Sequence, residues 1–137
     1  MALTHLLDTS VYCQPLKPKP LPSVRHRWEQ LGDGVLAISV ICEAELLYGL
    51  ELKQSRKLVA KYDALLKNRL HTFAVDLNIA EKFGQTKAAA RKAGRPCPDF
   101  DILIAATAKV HGLILATLNY RHFAGLDGLA IEDWSRD

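Results

Sequence analysis

The sequence predicts a three-layer α/β sandwich, with a central, mostly parallel sheet of about five strands covered by helices on both faces. Three observations point there. Short apolar runs that end at an acid, a turn residue or a hydroxyl recur along the chain; helical patterns separate them; and no second composition or linker interrupts the alternation. Residues 1–137 are therefore expected to form one domain, since a chain of this length builds a single core.

The first strand is expected over Leu3 to Leu7, ending at Asp8. Prolines at 15, 18, 20 and 22 make a loop-like stretch, and Pro22 can open a helix that runs through Trp28. After Gly32 and Gly34 a second strand is expected over Val35 to Ile38, and the segment Ile38 to Leu52 then reads as a helix. That helix is apolar on nearly every side, so it is expected to be buried on most of them. Leu58, Val59, Tyr62, Leu65 and Leu66 mark another helix, with Arg56, Lys57, Lys61 and Lys67 on its other face. Thr72 to Val75 follows as a strand, and Leu77 to Ala93 as a helix closed by Gly94. Ile102 to Ala108 carries no charge and reads as a helix enclosed by protein; Leu113 to Thr117 and Leu129 to Ile131 are the last strands.

Composition excludes several functions. Nearly half the residues are apolar and 24% are charged, which is globular rather than disordered. No apolar run reaches the ~18 residues of a membrane span, and MALTHLLDTS lacks a basic start and a small-residue cleavage site. The expectation is a cytoplasmic chain with no membrane partner. Cys13, Cys42 and Cys97 are odd in number and form no C-x-x-C pair, so neither a disulfide framework nor a thiolate zinc site is expected. The net charge is only +3, yet eleven of the eighteen lysines and arginines fall between Lys53 and Arg95, against Asp63, Asp76 and Glu81. Such a segment can face a polyanion, although solvated helix faces explain most lysines.

The chemistry lies with the acids. In open α/β sheets ligands gather beyond the carboxyl ends of strands. Asp8 follows the first strand and precedes Thr9 and Ser10, a setting that also suits a helix N-cap. Glu43 and Glu45 lie in the apolar helix, and periodicity does not choose between them; a carboxylate pressed toward a core needs a cation or hydrogen-bond donors. Asp101 heads the uncharged helix, although Asp99 and Asp101 also fit a first turn, where negative charge is favoured. Asn119 follows Leu115 to Thr117, where asparagine is often only a turn residue. The fold sends Asp8, Glu45, Asp101 and Asn119 to one rim. Clustered carboxylates repel unless a divalent cation neutralises them, and an all-oxygen set suits Mg²⁺ or Mn²⁺. Metal-assisted phosphodiester hydrolysis is the reaction that follows.

At these residues the chain resembles the PIN domain family, and within it the VapC-type toxins of bacterial toxin–antitoxin pairs. The resemblance is carried by LLDTS at 6–10, AELLYG at 44–49, GRPCPDFDILIAATA at 94–108 and ATLNYRHF at 116–123. It implies a PIN-like sandwich, selects Glu45 over Glu43 and Asp101 over Asp99, and makes Asp8, Glu45 and Asp101 metal ligands. It gives Thr9, Ser10 and Thr117 supporting roles through their hydroxyls. Many relatives carry acids where Asn119 and His122 stand here, so the expectation is one well-held metal, or a second recruited with the substrate. The resemblance further implies ribonuclease activity on structured RNA, a homodimer and a VapB-like antitoxin partner. Two other readings differ in kind. A non-catalytic RNA- or protein-binding module would have lost core acids; an α/β phosphatase with Asp8 as nucleophile would carry a second aspartate two residues on, where Ser10 stands.

Overall fold

The computed structural model describes residues 2–137. Its sheet consists of β1 (His5–Leu7), β2 (Leu36–Ser39), β3 (His71–Phe73), β4 (Ile114–Thr117) and β5 (Ile131–Asp133), in the order β3-β2-β1-β4-β5. All four neighbouring pairs are parallel. Burial follows from that order. The central strands β1 and β2 are buried throughout and β4 nearly so, whereas the edge strands β3 and β5 are half-buried or exposed. Continuous apolar runs such as LAIS and ILAT are what a strand covered on both faces requires.

Seven helices supply that cover: α1 (Thr9–Tyr12), α2 (Pro22–Leu31), α3 (Val40–Lys53), α4 (Arg56–Leu65), α5 (Leu77–Lys92), α6 (Asp99–His111) and α7 (Tyr120–Phe123). Local signals fix their ends. Ser39, Ser55 and Asp76 cap α3, α4 and α5 through side-chain bonds to the backbone N–H groups of Ile41, Leu58 and Ile79. Pro22 opens α2, and Gly94 at φ +69° ends α5 in the left-handed conformation that glycine adopts without strain. One core runs from Leu6 to Trp134 and joins strands to helices from both ends of the chain.

Three expectations need correction. The last strand lies at Ile131–Asp133 rather than Leu129–Ile131, because Gly128 still turns the chain at φ +73° and pairing with β4 begins only beyond it. The second strand starts at Leu36, after a single 3-10 turn over Asp33–Val35. Most informative is α3, which is not enclosed on most sides. Cys42, Leu46 and Leu50, one four-residue stripe, are its buried residues, while Tyr48 and Leu52 are 69% and 70% exposed. One stripe is all that a helix laid on a sheet can bury.

Topology places the site. The chain builds outward from β1 through β2 to β3, then returns to add β4 on the other side of β1. The strand order therefore reverses between β1 and β4, and a crevice opens at their carboxyl ends. Asp8 leaves β1 there and Thr117 ends β4 there.

Candidate active site

Asp8 is only 4% exposed, and its carboxylate is held on three sides. Its Oδ1 accepts from the Ser10 hydroxyl at 2.6 Å and from the Val11 N–H at 3.1 Å; its Oδ2 accepts from the Thr117 hydroxyl at 2.5 Å. Asp8 thus caps α1 at the carboxyl end of β1. A carboxylate offers about four acceptor sites, so these bonds leave room on Oδ2 for one more partner. The hydroxyls are fixed in turn. Ser10 Oγ accepts from the Leu118 N–H at 3.1 Å, and Thr117 Oγ1 from the Asn119 N–H at 2.9 Å, which ties the ends of β1 and β4 together.

Glu45 projects from α3 to the same place, where the Thr9 hydroxyl donates to its Oε1 at 2.5 Å. Glu43 lies on another side of the helix and is taken by two phenols: Tyr12 Oη donates to Oε2 at 3.0 Å and Tyr62 Oη to Oε1 at 2.7 Å. Burial first, and then the Glu43 charge, hold both phenols above the ordinary tyrosine range. Glu43 therefore joins α1, α3 and α4. Glu43→Gln is expected to retain RNA cleavage but to lower unfolding free energy by about 1–3 kcal/mol, because an amide leaves one phenol mispaired. Urea unfolding beside a cleavage assay checks both halves.

Asp101 stands in the first turn of α6, half-buried, with His122 Nδ1 at 3.5 Å from its Oδ2. It is not the cap of that helix; Pro98 occupies that position and Asp101 makes no capping bond. Burial raises its pKa, as do the charges of Glu45 and Asp8, while His122 opposes them. Asp8 is also held above the usual carboxylate range by burial, against the hydrogen bonds it accepts. Asp101 thus lies within range of the charges of both Glu45 and Asp8. Among the described residues, no lysine or arginine forms an ion pair with any of them. Nor do any three histidine, cysteine, aspartate or glutamate side chains there stand close enough to enclose an ion unaided. Asn119 is exposed at the rim, where it precedes α7 and makes no side-chain cap.

Two features escaped the sequence reading. The His122 contact with Asp101 was legible only as a departure from relatives that carry an acid there; its position three residues beyond Asn119, on the first turn after β4, is the signal that could have found it. The Tyr12 and Tyr62 pair that occupies Glu43 joins residues 31 and 19 positions away and left no local mark. The cysteines behave as packing residues: Cys42 is buried, donates to the Leu7 carbonyl at 3.5 Å and is pushed up to about 12 by burial.

Chemically, Asp8, Glu45 and Asp101 offer oxygen donors only, and hydroxyls hold the first two in place. This set matches what hard divalent cations take, since Mg²⁺ binds through one or two carboxylates and keeps waters in its shell.

Comparison with known proteins agrees. Residues 5–129 match the PIN domain. The chain is 36% identical over 133 residues, 97% of its length and 99% of the relative's, to a tRNA(fMet)-specific endonuclease VapC of Shigella flexneri. It is 34% identical to Ribonuclease VapC2 of Haemophilus influenzae, with 96% of this chain and 98% of that one covered. Among solved structures, the DNA-bound VapBC of Salmonella typhimurium superposes with a TM-score of 0.83 at 32% identity, covering 96% of this chain and 98% of that one. On this match of sequence and fold, the chain belongs to the PIN domain family.

Proposed function

We propose that this chain is a divalent-metal-dependent ribonuclease, the toxin of a toxin–antitoxin pair that a VapB-like antitoxin restrains. One observation carries the reading: Asp101 lies within range of the charges of Glu45 and Asp8, all far apart in sequence, and among the described residues no lysine or arginine forms an ion pair with any of the three. Relatives of nearly equal length that carry ribonuclease names support it, as do solved structures of toxin–antitoxin complexes. The whole chain, 1–137, acts as one domain. The substrate is a structured RNA, with tRNA the first to test because the Shigella flexneri and Salmonella typhimurium relatives are named for tRNA(fMet).

Asp8, Glu45 and Asp101 are the residues to hold Mg²⁺ or Mn²⁺, in part through water. When bound, such an ion lowers the pKa of water and offsets the charge that builds on phosphate during attack. The chain's own groups set the geometry. Ser10 and Thr117 lock the Asp8 carboxylate, Thr9 locks Glu45, and His122 steadies Asp101. The exposed amide of Asn119 stands at the rim to meet a phosphate oxygen. A binding-only role is disfavoured because all three acids are retained. The phosphatase reading is disfavoured because Ser10 donates to Asp8 where a second aspartate would stand.

The protein works as a cytoplasmic homodimer, and the exposed Tyr48 and Leu52 of α3 offer an apolar face for a second copy. Among the described residues no helix is long and apolar enough to cross a membrane. Expression of the chain alone, and then with the product of the neighbouring upstream gene, tests the function. The expected result is growth arrest with new RNA ends, relieved by the neighbour. Unaltered RNA ends during arrest would overturn the ribonuclease reading.

A further inference from the structure

A second cleft, of about 160 Å³, lies between α5, α6 and the loop that holds Gly125 and Asp127. A single water needs only ~10–15 Å³, so the cleft has room for a larger group. Three cations from three segments line it: Lys82 on α5, Arg95 just past the end of α5, and Lys109 on α6. The fold places two of them by contacts. Lys109 Nζ donates to Thr86 Oγ1 at 3.0 Å, and Thr86 is itself only 4% exposed. The turn at Gly94 returns the Arg95 N–H to the Ala90 carbonyl at 2.9 Å, and the Arg95 stem lies so close to Gly125 that a Cβ there would meet Arg95 Cδ at 3.1 Å.

Two cations elsewhere are taken up by acids, Arg69 by Asp33 at 3.0 Å and Lys87 by Asp99 at 2.9 Å. Among the described residues, Lys82, Arg95 and Lys109 form no ion pair within the 4.0 Å that defines one. Asp127 is the one acid on the cleft wall. Burial and the neighbouring Lys82 charge hold the Lys109 ammonium below its ordinary range, with Asp127 opposing. Like charges converging on a partly dry cleft are relieved by an anion. A lysine pair, an arginine fork and a threonine hydroxyl form a donor set suited to phosphate.

Continuity with the active site identifies the source of that phosphate. The adjoining cleft shares Arg95, Gly125 and Leu126 with this one and adds Arg121 and His122. His122 in turn lies 3.5 Å from Asp101. A connected, positively lined path thus leads from the acidic crevice to Lys109. We propose that the cleft between Lys82, Arg95 and Lys109 binds a backbone phosphate of the RNA substrate, several nucleotides from the bond that is cut. This assignment rests on the ribonuclease reading, and it makes tight binding depend on RNA that extends beyond the acidic crevice.

The test is tRNA binding to the full-length protein in EDTA, followed by fluorescence anisotropy across a KCl series. Lys82→Gln/Lys109→Gln is expected to weaken binding by roughly tenfold near 0.1 M salt and to reduce the slope of log K against log[salt] by about one. Should that variant fail to fold, Arg95→Gln, at an exposed position, is expected to weaken binding by about threefold with a smaller change of slope. Affinity and slope equal to wild type in a folded variant would overturn the proposal. A parallel melting experiment with inorganic phosphate separates the sources. If wild-type protein binds no RNA, the ribonuclease reading has failed, and the RNA assignment with it. A phosphate-dependent rise in Tm that the double variant loses would then keep an anion site; no rise would remove that too.

Discussion

Asp101→Asn is expected to lower RNA cleavage by about three orders of magnitude, close to background, and to leave the folded state intact. Three orders correspond to about 4 kcal/mol of lost transition-state stabilisation, the scale on which a metal ligand acts. Stability should hardly move, for two opposed reasons. Burial and the facing acids raise the Asp101 pKa in the folded chain. A carboxyl with a raised folded pKa adds stability only below the ordinary carboxylate range and loses it as pH rises through the raised value. At neutral pH the ionised group therefore costs stability in the metal-free protein, and asparagine removes that cost. Against this, the first turn of α6 loses one favourable negative charge, worth ~0.3–1 kcal/mol, while Asp99 remains. Calorimetry should find Tm within a few degrees of wild type. Full cleavage by the folded variant would take Asp101 out of the site.

Withdrawal of divalent cations is expected to have the largest effect of all, reducing turnover to background in excess EDTA, with recovery on addition of Mg²⁺ or Mn²⁺. The reason is electrostatic. Asp8, Glu45 and Asp101 would otherwise repel the phosphate that must approach them, and among the described residues the His122 imidazole is the one basic group in ion-pair range of any of the three. Oxygen donors of this kind favour hard ions over the softer metals that thiolates and imidazoles select. Cleavage that persists in the chelator would set metal-assisted hydrolysis aside, whatever the identity of the RNA.

Much of this arrangement was legible from spacing alone. Alternation of buried runs with helical patterns implied a parallel sheet, and a parallel sheet has a carboxyl rim; Asp8, Thr117 and Asn119 were therefore placeable without coordinates. The hydroxyls were singled out by the family resemblance and not by spacing; in the fold Ser10 and Thr117 donate to Asp8, and Thr9 to Glu45. What spacing could not supply was anything decided by contacts between distant segments. On α3 the apolar residues run nearly all the way round, so periodicity singles out no inward face; the family resemblance selected Glu45, and in the fold Tyr12 and Tyr62 take up Glu43. For the same reason the helix looked more deeply buried than it is, since Leu47, Tyr48 and Leu52 are apolar yet exposed. At β5 the strand moved two residues because a glycine turn, rather than apolar content, decides where pairing begins.

The central claim is that carboxylates from β1, α3 and α6 share one cation. The arrangement of side chains here does not by itself enclose an ion, so the ion must draw on water or on a small closure of the crevice. Titration of Mn²⁺ into the purified protein, followed by electron paramagnetic resonance, measures this directly. Wild-type protein should bind Mn²⁺, and Asp8→Asn and Asp101→Asn should each weaken binding by at least about tenfold, the loss seen even for groups that merely orient a ligand. Equal Mn²⁺ affinity in wild type and both variants, or no binding by any of them, would contradict the claim.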